Sequence, residues 1–499
     1  VIPRTLAEIA EAVGGRLHRT DGTAVVTGGV EFDSRRVTEG GLFVAMPGER
    51  VDGHDYAATA VAAGAAGVLA ARAVDAPAVV VPPASEAHRR SVALAGDTDG
   101  SGAAVLAGLA ALARDVVDEL THGGLTVVGV TGSSGKTSTK DLIAQVLEPM
   151  GPTVAPPGSF NNELGHPWTV LRADERTRHL VLELSARGPG HIAALCRTAP
   201  PRIGVVLNVG SAHLGEFGSR EDIARTKGEL VEALPPAEEG GVAVLNADDP
   251  LVAAMATRTS ARVVRVGQDP AADVRAVGVR LDDQARASFR LVTPVGDAPV
   301  RLGLHGEHMV GNALSAAAVA LELGATAEQV AGWLSTARRR SARRMEVTTR
   351  SDGVTVVNDA YNANPESVRA ALKSLATMAR SAEQPRRSWA VLGVMGELGE
   401  ASTAAHDEIG RLAVRLDVNR LVVVGEQAAA MHRGAYLEGS WGEESVLVPD
   451  VDAAIALLHE EVRAGDVVLV KASKVAELWR VAEALVDTVP AEARDGGPA

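Results

Sequence analysis

With 499 residues the chain is too long for one ordinary domain, and its length suggests about two to four. Apolar residues make up 46% of it, enough for several cores, while 49 basic against 63 acidic side chains leave a net charge of -14. No basic stripe with interleaved aromatics is present, which argues against nucleic acid as a partner. The lone cysteine, Cys196, cannot form an internal disulfide and reads as an inert core residue of a reducing compartment. The opening Val1-Ile2-Pro3-Arg4 lacks a signal-peptide pattern and the Ala-rich stretch 57–71 is too weakly apolar to span a bilayer, so a cytoplasmic protein without membrane insertion is expected.

Residues 1–95 alternate short strands with a helix-like segment from Tyr56 to Ala66 and end at Pro82-Pro83, the pattern of a small α/β domain. Gly96 to Gly102 reads as a linker. Val105, Leu109, Leu112, Val116 and Leu120 then mark one buried helix face. Apolar strands at 125–130, 179–184, 203–209 and 242–245, separated by helical stretches, predict a mostly parallel sheet covered on both faces. Past the arginine-rich segment Arg338 to Arg344 the rhythm restarts, with strands at 354–357, 389–394, 420–424 and 466–470. The fold class is therefore α/β with three domains: a small one over 1–95, a central ATPase-type sheet over 96–338, and a Rossmann-like domain over 339–499.

The strand leading to Val130 runs into Thr131-Gly132-Ser133-Ser134-Gly135-Lys136-Thr137-Ser138, a phosphate-binding loop. Its glycines let backbone N–H groups close around an anion, Lys136 adds a point charge, and the Thr137 hydroxyl can ligate Mg²⁺. The strict pattern has glycine where Val130 stands, so this is a shortened form. The following helix, apolar at Leu142, Ile143 and Val146, turns its positive end to the same anion. ATP is the expected nucleotide, because no Asn-Lys-x-Asp guanine-reading pattern occurs.

Metal ligands beside the phosphates belong at the carboxyl ends of neighbouring strands. Glu183 ends an apolar strand, where an ionised group is costly unless paired or metal-bound, and His213 follows the strand from Ile203. A locally hydrogen-bonded side chain is the alternative for each, but two at corresponding strand ends favour Mg²⁺. Lys227 lies on a short helix, where spacing alone marks it as solvated. Asn161-Asn162-Glu163, Asn246-Ala247-Asp248-Asp249 and His308-x-x-x-Asn312 are polar clusters that turns and helix caps also explain. Ser34 and Arg35, in Asp33-Ser34-Arg35-Arg36, suit either a pyrophosphate clamp or a solvated turn. Asn358-Asp359-Ala360-Tyr361-Asn362-Ala363-Asn364-Pro365 follows a strand and is too polar for a tight turn alone, so it reads as a ligand-facing loop. Only six lysines occur, at 136, 140, 227, 373, 471 and 474, and where arginine is the routine cation a retained lysine is a candidate for chemistry.

In this order the motifs resemble those of the Mur ligases of peptidoglycan precursor synthesis, over nearly the whole chain. Among these ligases the resemblance is strongest to the members that add D-alanyl-D-alanine: the opening Ile2-Pro3-Arg4-Thr5-Leu6, the Tyr361-Asn362-Ala363-Asn364-Pro365 loop, and Leu392 to Glu400 followed by His406 carry it. It implies a uridine-nucleotide domain, an ATPase domain and a closing Rossmann-like domain. Thr137, Glu183 and His213 would hold Mg²⁺, with Lys227 as the lysine that many members carbamylate into an anionic ligand, and Lys136 would meet the terminal phosphates. Asn312 would face the adenine, Arg344 and Asp359 would close onto the nucleotide, and Ser34 and Arg35 would meet the uridine diphosphate. Asn161, Asn162, Tyr361 and Asn364 would lie on the substrate side, and Lys471 and Ser473 at the dipeptide end.

Ser185, Arg187, His191, Val394 and Ala472 depart from the family pattern, so the surroundings of these positions need not carry over. The implied activity joins D-alanyl-D-alanine to UDP-N-acetylmuramoyl-tripeptide through an acyl phosphate, in a monomer. A sister ligase adding one amino acid, or a nucleotide-binding protein without catalysis, shares the same loop.

Overall fold

A computed structural model describes residues 2–48, 51–86, 97–211, 214–380, 385–440, 442 and 444–487. His213 and Gly96, both singled out from the sequence, lie outside these residues.

The chain builds three principal α/β sheets. The first has five strands in the order Arg16–His18, Ala78–Val80, Gly67–Ala70, Leu42–Val44 and Val30–Glu31, the first antiparallel and the rest parallel. The helix expected over 56–66 is shorter, Ala57–Ala62, behind a 3₁₀ turn Gly53–Tyr56, because Gly64 at φ +114° ends it. The predicted linker is already helical from Ser101. The helix Ser101–His122 buries Val105, Leu109, Leu112, Val116 and Leu120 as their spacing predicts. It serves two sheets: a Cβ on its Gly108 would lie 2.5 Å from Val81, and Arg4 reaches across to Asp115 at 3.0 Å.

The central sheet has nine strands, and Thr126–Thr131 lies inside it, fully buried along its length. It pairs in parallel with His179–Glu183 on one side and Ile203–Val206 on the other, with Val130 opposite Glu183 and Thr131 opposite Val206. That register brings the phosphate loop, Glu183 and the Asn208 turn to one end of the sheet. The strand expected over 203–209 stops at Val206, since the next residues bond to the phosphate loop instead of a ladder. Beyond Val242–Asn246 and Arg262–Gly267 the sheet continues through Val274–Leu281, Arg286–Thr293 and Gly296–His305. The last two pairings are antiparallel, and both were missed by a reading tuned to continuous apolar runs, because half-buried strands such as Arg286–Thr293 alternate inside and out.

The third sheet runs Glu346–Thr349, Thr355–Asn358, Val467–Lys471, Ser388–Leu392, Arg420–Val424 and Ser445–Val448, with only the first antiparallel. Its two edge strands escaped sequence reading, both being only four residues long and Glu346–Thr349 mostly polar as well. No described helix is long and apolar enough to cross a membrane.

His166, on the helix Gly165–Val170, is 1% exposed, and burial pushes its imidazole down to about 4 from an ordinary 6.5. Between those values the unfolded chain binds a proton that the folded chain refuses. Stability is therefore expected to fall as pH drops through this window, by about 3 kcal/mol at its foot. Urea unfolding from pH 7 to pH 4 should show a gentler loss in His166→Leu than in the parent. Parallel curves would mean the imidazole is not held neutral.

Candidate active site

The carboxyl end of the central sheet and the facing loops of the third sheet enclose a cavity of about 810 Å³. Its floor is the phosphate loop. Gly135 sits at φ +83°, and a Cβ there would lie 2.9 Å from Asn312 Oδ1, so both conformation and space require glycine. The helix Lys136–Leu147 begins at once, its first N–H groups turned to the cavity. Lys136 Nζ donates to its own loop at Gly132 O, 2.8 Å away. Asn208 spans the loop, accepting from Ser133 N–H through its carbonyl at 3.0 Å and from Ser134 N–H through Oδ1 at 2.9 Å. Ser138 also lines the cavity, whereas the Thr131 hydroxyl turns away to Leu184 O at 2.9 Å and ties two strands.

Glu183 is 1% exposed. Its Oε2 accepts from Thr137 Oγ1 at 3.0 Å, and its Oε1 accepts from Asn161 Nδ2 at 2.7 Å and Ser159 Oγ at 3.0 Å. Asn162 instead caps the next helix, its Oδ1 accepting from Gly165 N–H. A buried carboxylate beside a hydroxyl, open to a cavity with a phosphate loop, offers the hard oxygen donors that Mg²⁺ takes, with phosphates and water completing its shell. His213, expected to join them, lies outside the described residues, and among the described residues no three His, Cys, Asp or Glu side chains are grouped so that they could hold a metal ion.

Lys227 corrects the reading from spacing: it is 5% exposed rather than solvated. The helix Arg220–Glu232 also buries Ile223, Leu230 and Val231, and Lys227 stands on that stripe one turn after Ile223. The register was a signal available in the sequence. Burial, reinforced by the nearby Lys136 charge, pushes its amine well below the ordinary 10.5 and favours the uncharged form. Burial also lowers Lys136, but there the Glu183 carboxylate opposes it.

From the third sheet, Arg343 at φ +58° and Met345 at φ +47° bracket Arg344, an uncommon pair of left-handed residues in one turn. The turn sends the Arg344 guanidinium over the Tyr361 ring at 4.1 Å, from where it donates to Thr137 Oγ1 at 3.1 Å. Asp359 anchors the turn, accepting from Met345 N–H at 3.0 Å through Oδ1 and from Lys471 Nζ at 2.6 Å through Oδ2. Lys471 also donates to Asn362 O at 3.0 Å. Asn364 caps the following helix, accepting from Ser367 N–H at 2.9 Å, and its Nδ2 faces Ser133 O at 3.4 Å. Ser473 is buried, with no hydrogen-bond partner for its hydroxyl among the described residues.

Ser34 and Arg35 stand apart from the cavity. Arg35 folds back on Asp33 at 2.8 Å with its side chain 86% exposed, and that pairing holds the Asp33 carboxyl at about 2. Several residues at the cavity were not singled out from the sequence for this role. Asn208 clamps the loop, Asn246 Nδ2 donates to Leu207 O at 2.8 Å, and Asp249 Oδ2 accepts from Val209 N–H at 2.8 Å, so one polar cluster read as a turn supports the Asn208 segment from both ends. Glu366 accepts from Ser211 N–H and Oγ, both at 2.9 Å, joining the third domain to the central one.

A phosphate loop, a buried carboxylate at the next strand end and a third domain closing over both define an ATP-dependent ligase site. Three family models cover most of the chain: Mur ligase family, catalytic domain over 27–112, Mur ligase middle domain over 130–320, and Mur ligase, glutamate ligase domain over 343–474. The chain belongs to the Mur ligase family. It is 60% identical to UDP-N-acetylmuramoyl-tripeptide--D-alanyl-D-alanine ligase of Mycobacterium tuberculosis, over 97% of this chain and 98% of that one. Among solved structures it resembles MurF from Acinetobacter baumannii at 30% identity with a TM-score of 0.83, covering 97% of this chain and 99% of that one. It also resembles the MurF ligase from Thermotoga maritima in complex with ADP, at 30% identity and a TM-score of 0.74, covering 92% and 97%.

Proposed function

We propose that this protein joins D-alanyl-D-alanine to UDP-N-acetylmuramoyl-tripeptide with hydrolysis of ATP to ADP and phosphate, in cytoplasmic peptidoglycan precursor synthesis. The observation that carries this reading is the convergence of Lys136, Thr137 and Glu183 with Arg344 of the closing domain on one cavity. The units are 1–95 for the uridine nucleotide, 96–338 for ATP and 339–499 for closure, in a monomer.

A carboxylate is a poor acyl donor. The tripeptide's terminal carboxylate oxygen attacks the γ-phosphorus of ATP, the bond to ADP breaks, and an acyl phosphate results. Lys136 and the helix start behind it stabilise charge on the transferred phosphoryl group, while Arg344, held over Tyr361, neutralises it from the opposite wall. Thr137, Glu183 and, by family resemblance, His213 and Lys227 would hold Mg²⁺, which when bound offsets phosphate charge. The dipeptide amine, having lost a proton, attacks the acyl carbon, and the tetrahedral adduct expels phosphate to leave the amide. Lys471 and Ser473 lie at the dipeptide end, Asn312 on the adenine side, and Asn161 and Asn364 hold the walls. Closure through Asn364 and Glu366 excludes water that would hydrolyse the acyl phosphate.

Phosphate release by purified protein with ATP and Mg²⁺ tests this directly. Release that requires both UDP-muramoyl-tripeptide and D-alanyl-D-alanine, with the pentapeptide product seen by mass, is the expected result. Release with a single amino acid would reassign it to a sister ligase, and none with any combination would leave a binding protein.

Burial favours the uncharged form of the Lys227 amine, the form that is a nucleophile for carbon dioxide, and a carbamate there would supply a second anionic oxygen donor. Labelled bicarbonate is expected to give one carbamate carbon resonance in the parent protein and none in Lys227→Ala. A resonance surviving the substitution would remove Lys227 from the metal set.

A further inference from the structure

His406 is 1% exposed on the helix Ser402–Arg415, and both of its ring nitrogens meet backbone. Nδ1 lies 2.7 Å from Ser402 O, a carbonyl that can only accept, so Nδ1 carries the proton. Nε2 lies 2.9 Å from Met395 N, a backbone donor, so Nε2 accepts. The surroundings thus require a neutral ring in one tautomer. No charged side chain bonds to it among the described residues, and burial pushes the imidazole below its ordinary 6.5 while the Ser402 carbonyl opposes.

What this ring holds is a turn of the cavity wall. Residues 393–399 connect the strand Ser388–Leu392 to the helix. Gly393 N–H donates to Lys471 O at 3.0 Å, Val394 O accepts from Ser473 N–H at 2.9 Å, and Met395 and Leu398 anchor the turn in the apolar core. The turn reverses at Glu397, which adopts φ +63° without being glycine, and its side chain faces the cavity, where its charge raises the affinity of Lys136 for a proton. Glu397 O also accepts from Gly215 N–H of the central domain at 3.2 Å, and a Cβ on Gly215 would lie 2.7 Å from Gly399 N. The strained turn is thus held from behind by its core side chains, the Lys471–Ser473 backbone and His406 Nε2.

We propose that His406 is a positioning residue for the ligase reaction: by accepting from Met395 N–H it fixes the 393–399 turn so that Glu397 faces Lys136 across the cavity and the closing domain seats on Gly215. The proposal rests on the ligase reading above. Removing the acceptor leaves a buried N–H unpaired and frees the turn to relax its left-handed residue. A protonated ring has the same effect, since two N–H groups would then face each other.

The test compares His406→Leu, His406→Gln and Glu397→Gln with the parent in the two-substrate phosphate-release assay. His406→Leu is expected to lower kcat by at least ~10-fold while KM for ATP changes by less than about 2-fold, as a misplaced wall group should. His406→Gln, whose amide oxygen can accept the same N–H and does not titrate, should recover kcat to within about 3-fold of the parent. It should also lack the part of the acid-side fall in kcat that protonation of His406 is expected to cause in the parent. Glu397→Gln should reproduce the His406→Leu loss, with the double variant no worse than either. A parent-like kcat in His406→Leu, a lowered melting temperature with kcat per folded molecule unchanged, an unaltered acid limb in His406→Gln, or additive losses would each overturn the proposal. Absence of co-substrate-dependent release in the parent would instead defeat the ligase reading itself.

Discussion

Lys136→Ala is expected to lower turnover by at least ~100-fold, the scale of losing a charge-stabilising group at a site of developing negative charge. Apart from its bond to Gly132 O, the amine contributes nothing to the fold of the loop. Its conformation is held by Gly135, by the Asn208 clamp on Ser133 and Ser134, and by the buried strand behind it, none of which the substitution touches. The loss should therefore fall on kcat, with the melting temperature little changed. Lys136→Arg should not rescue it, because a planar fork cannot take the place of a compact ammonium that bonds Gly132 O at 2.8 Å. The assay is phosphate release with both co-substrates at saturating ATP. Near-parent turnover in Lys136→Ala would remove the loop from the chemistry, whatever its resemblance to other phosphate loops.

The second large effect is on stability. Asp359 and Lys471 form a pair whose side chains are 12% and 3% exposed, 2.6 Å apart. Asp359→Ala strands the ammonium in a dry site and also removes the acceptor for Met345 N–H, so unfolding should be easier by about 3–5 kcal/mol. Burial already lowers the Lys471 affinity for a proton and Asp359 opposes this, so the variant's lysine should shed its proton more readily than the parent's. The variant should consequently regain part of its stability as pH rises. Asp359→Ala with Lys471→Met, which removes both charges, should cost much less than either single change. Urea unfolding of the four proteins measures this cycle. A double variant as unstable as the sum of the singles would show that the pair is not coupled. Activity should fall in both variants that lack Asp359, because its bond to Met345 sets the turn that delivers Arg344.

The sequence by itself determined the phosphate loop, since glycines, lysine and threonine act there as neighbours within one turn and their chemistry is local. It also determined the α/β rhythm, because fully buried parallel strands such as Thr126–Thr131 read as apolar runs. Glu183 stood out as an ionisable residue ending such a run, and three of the six lysines proved buried, at 140, 227 and 471, while Lys136 is half-buried on the cavity floor. Alternating antiparallel strands and four-residue edge strands escaped, the first because half their residues are polar, the second because they are too short to show a period.

Tertiary structure alone decided which polar clusters meet. Asn208 bonds the phosphate loop across 74 positions, Glu366 reaches Ser211 across 155, and Arg344 reaches Thr137 across 207. Such pairings depend on sheet order and domain approach, for which spacing carries no signal, because periodicity reports only the neighbours a residue has within its own helix or strand. The lowered proton affinity of Lys227 was decided in the same way: its position on an apolar stripe is sequence, but the burial that lowers it comes from what the rest of the fold packs against that stripe.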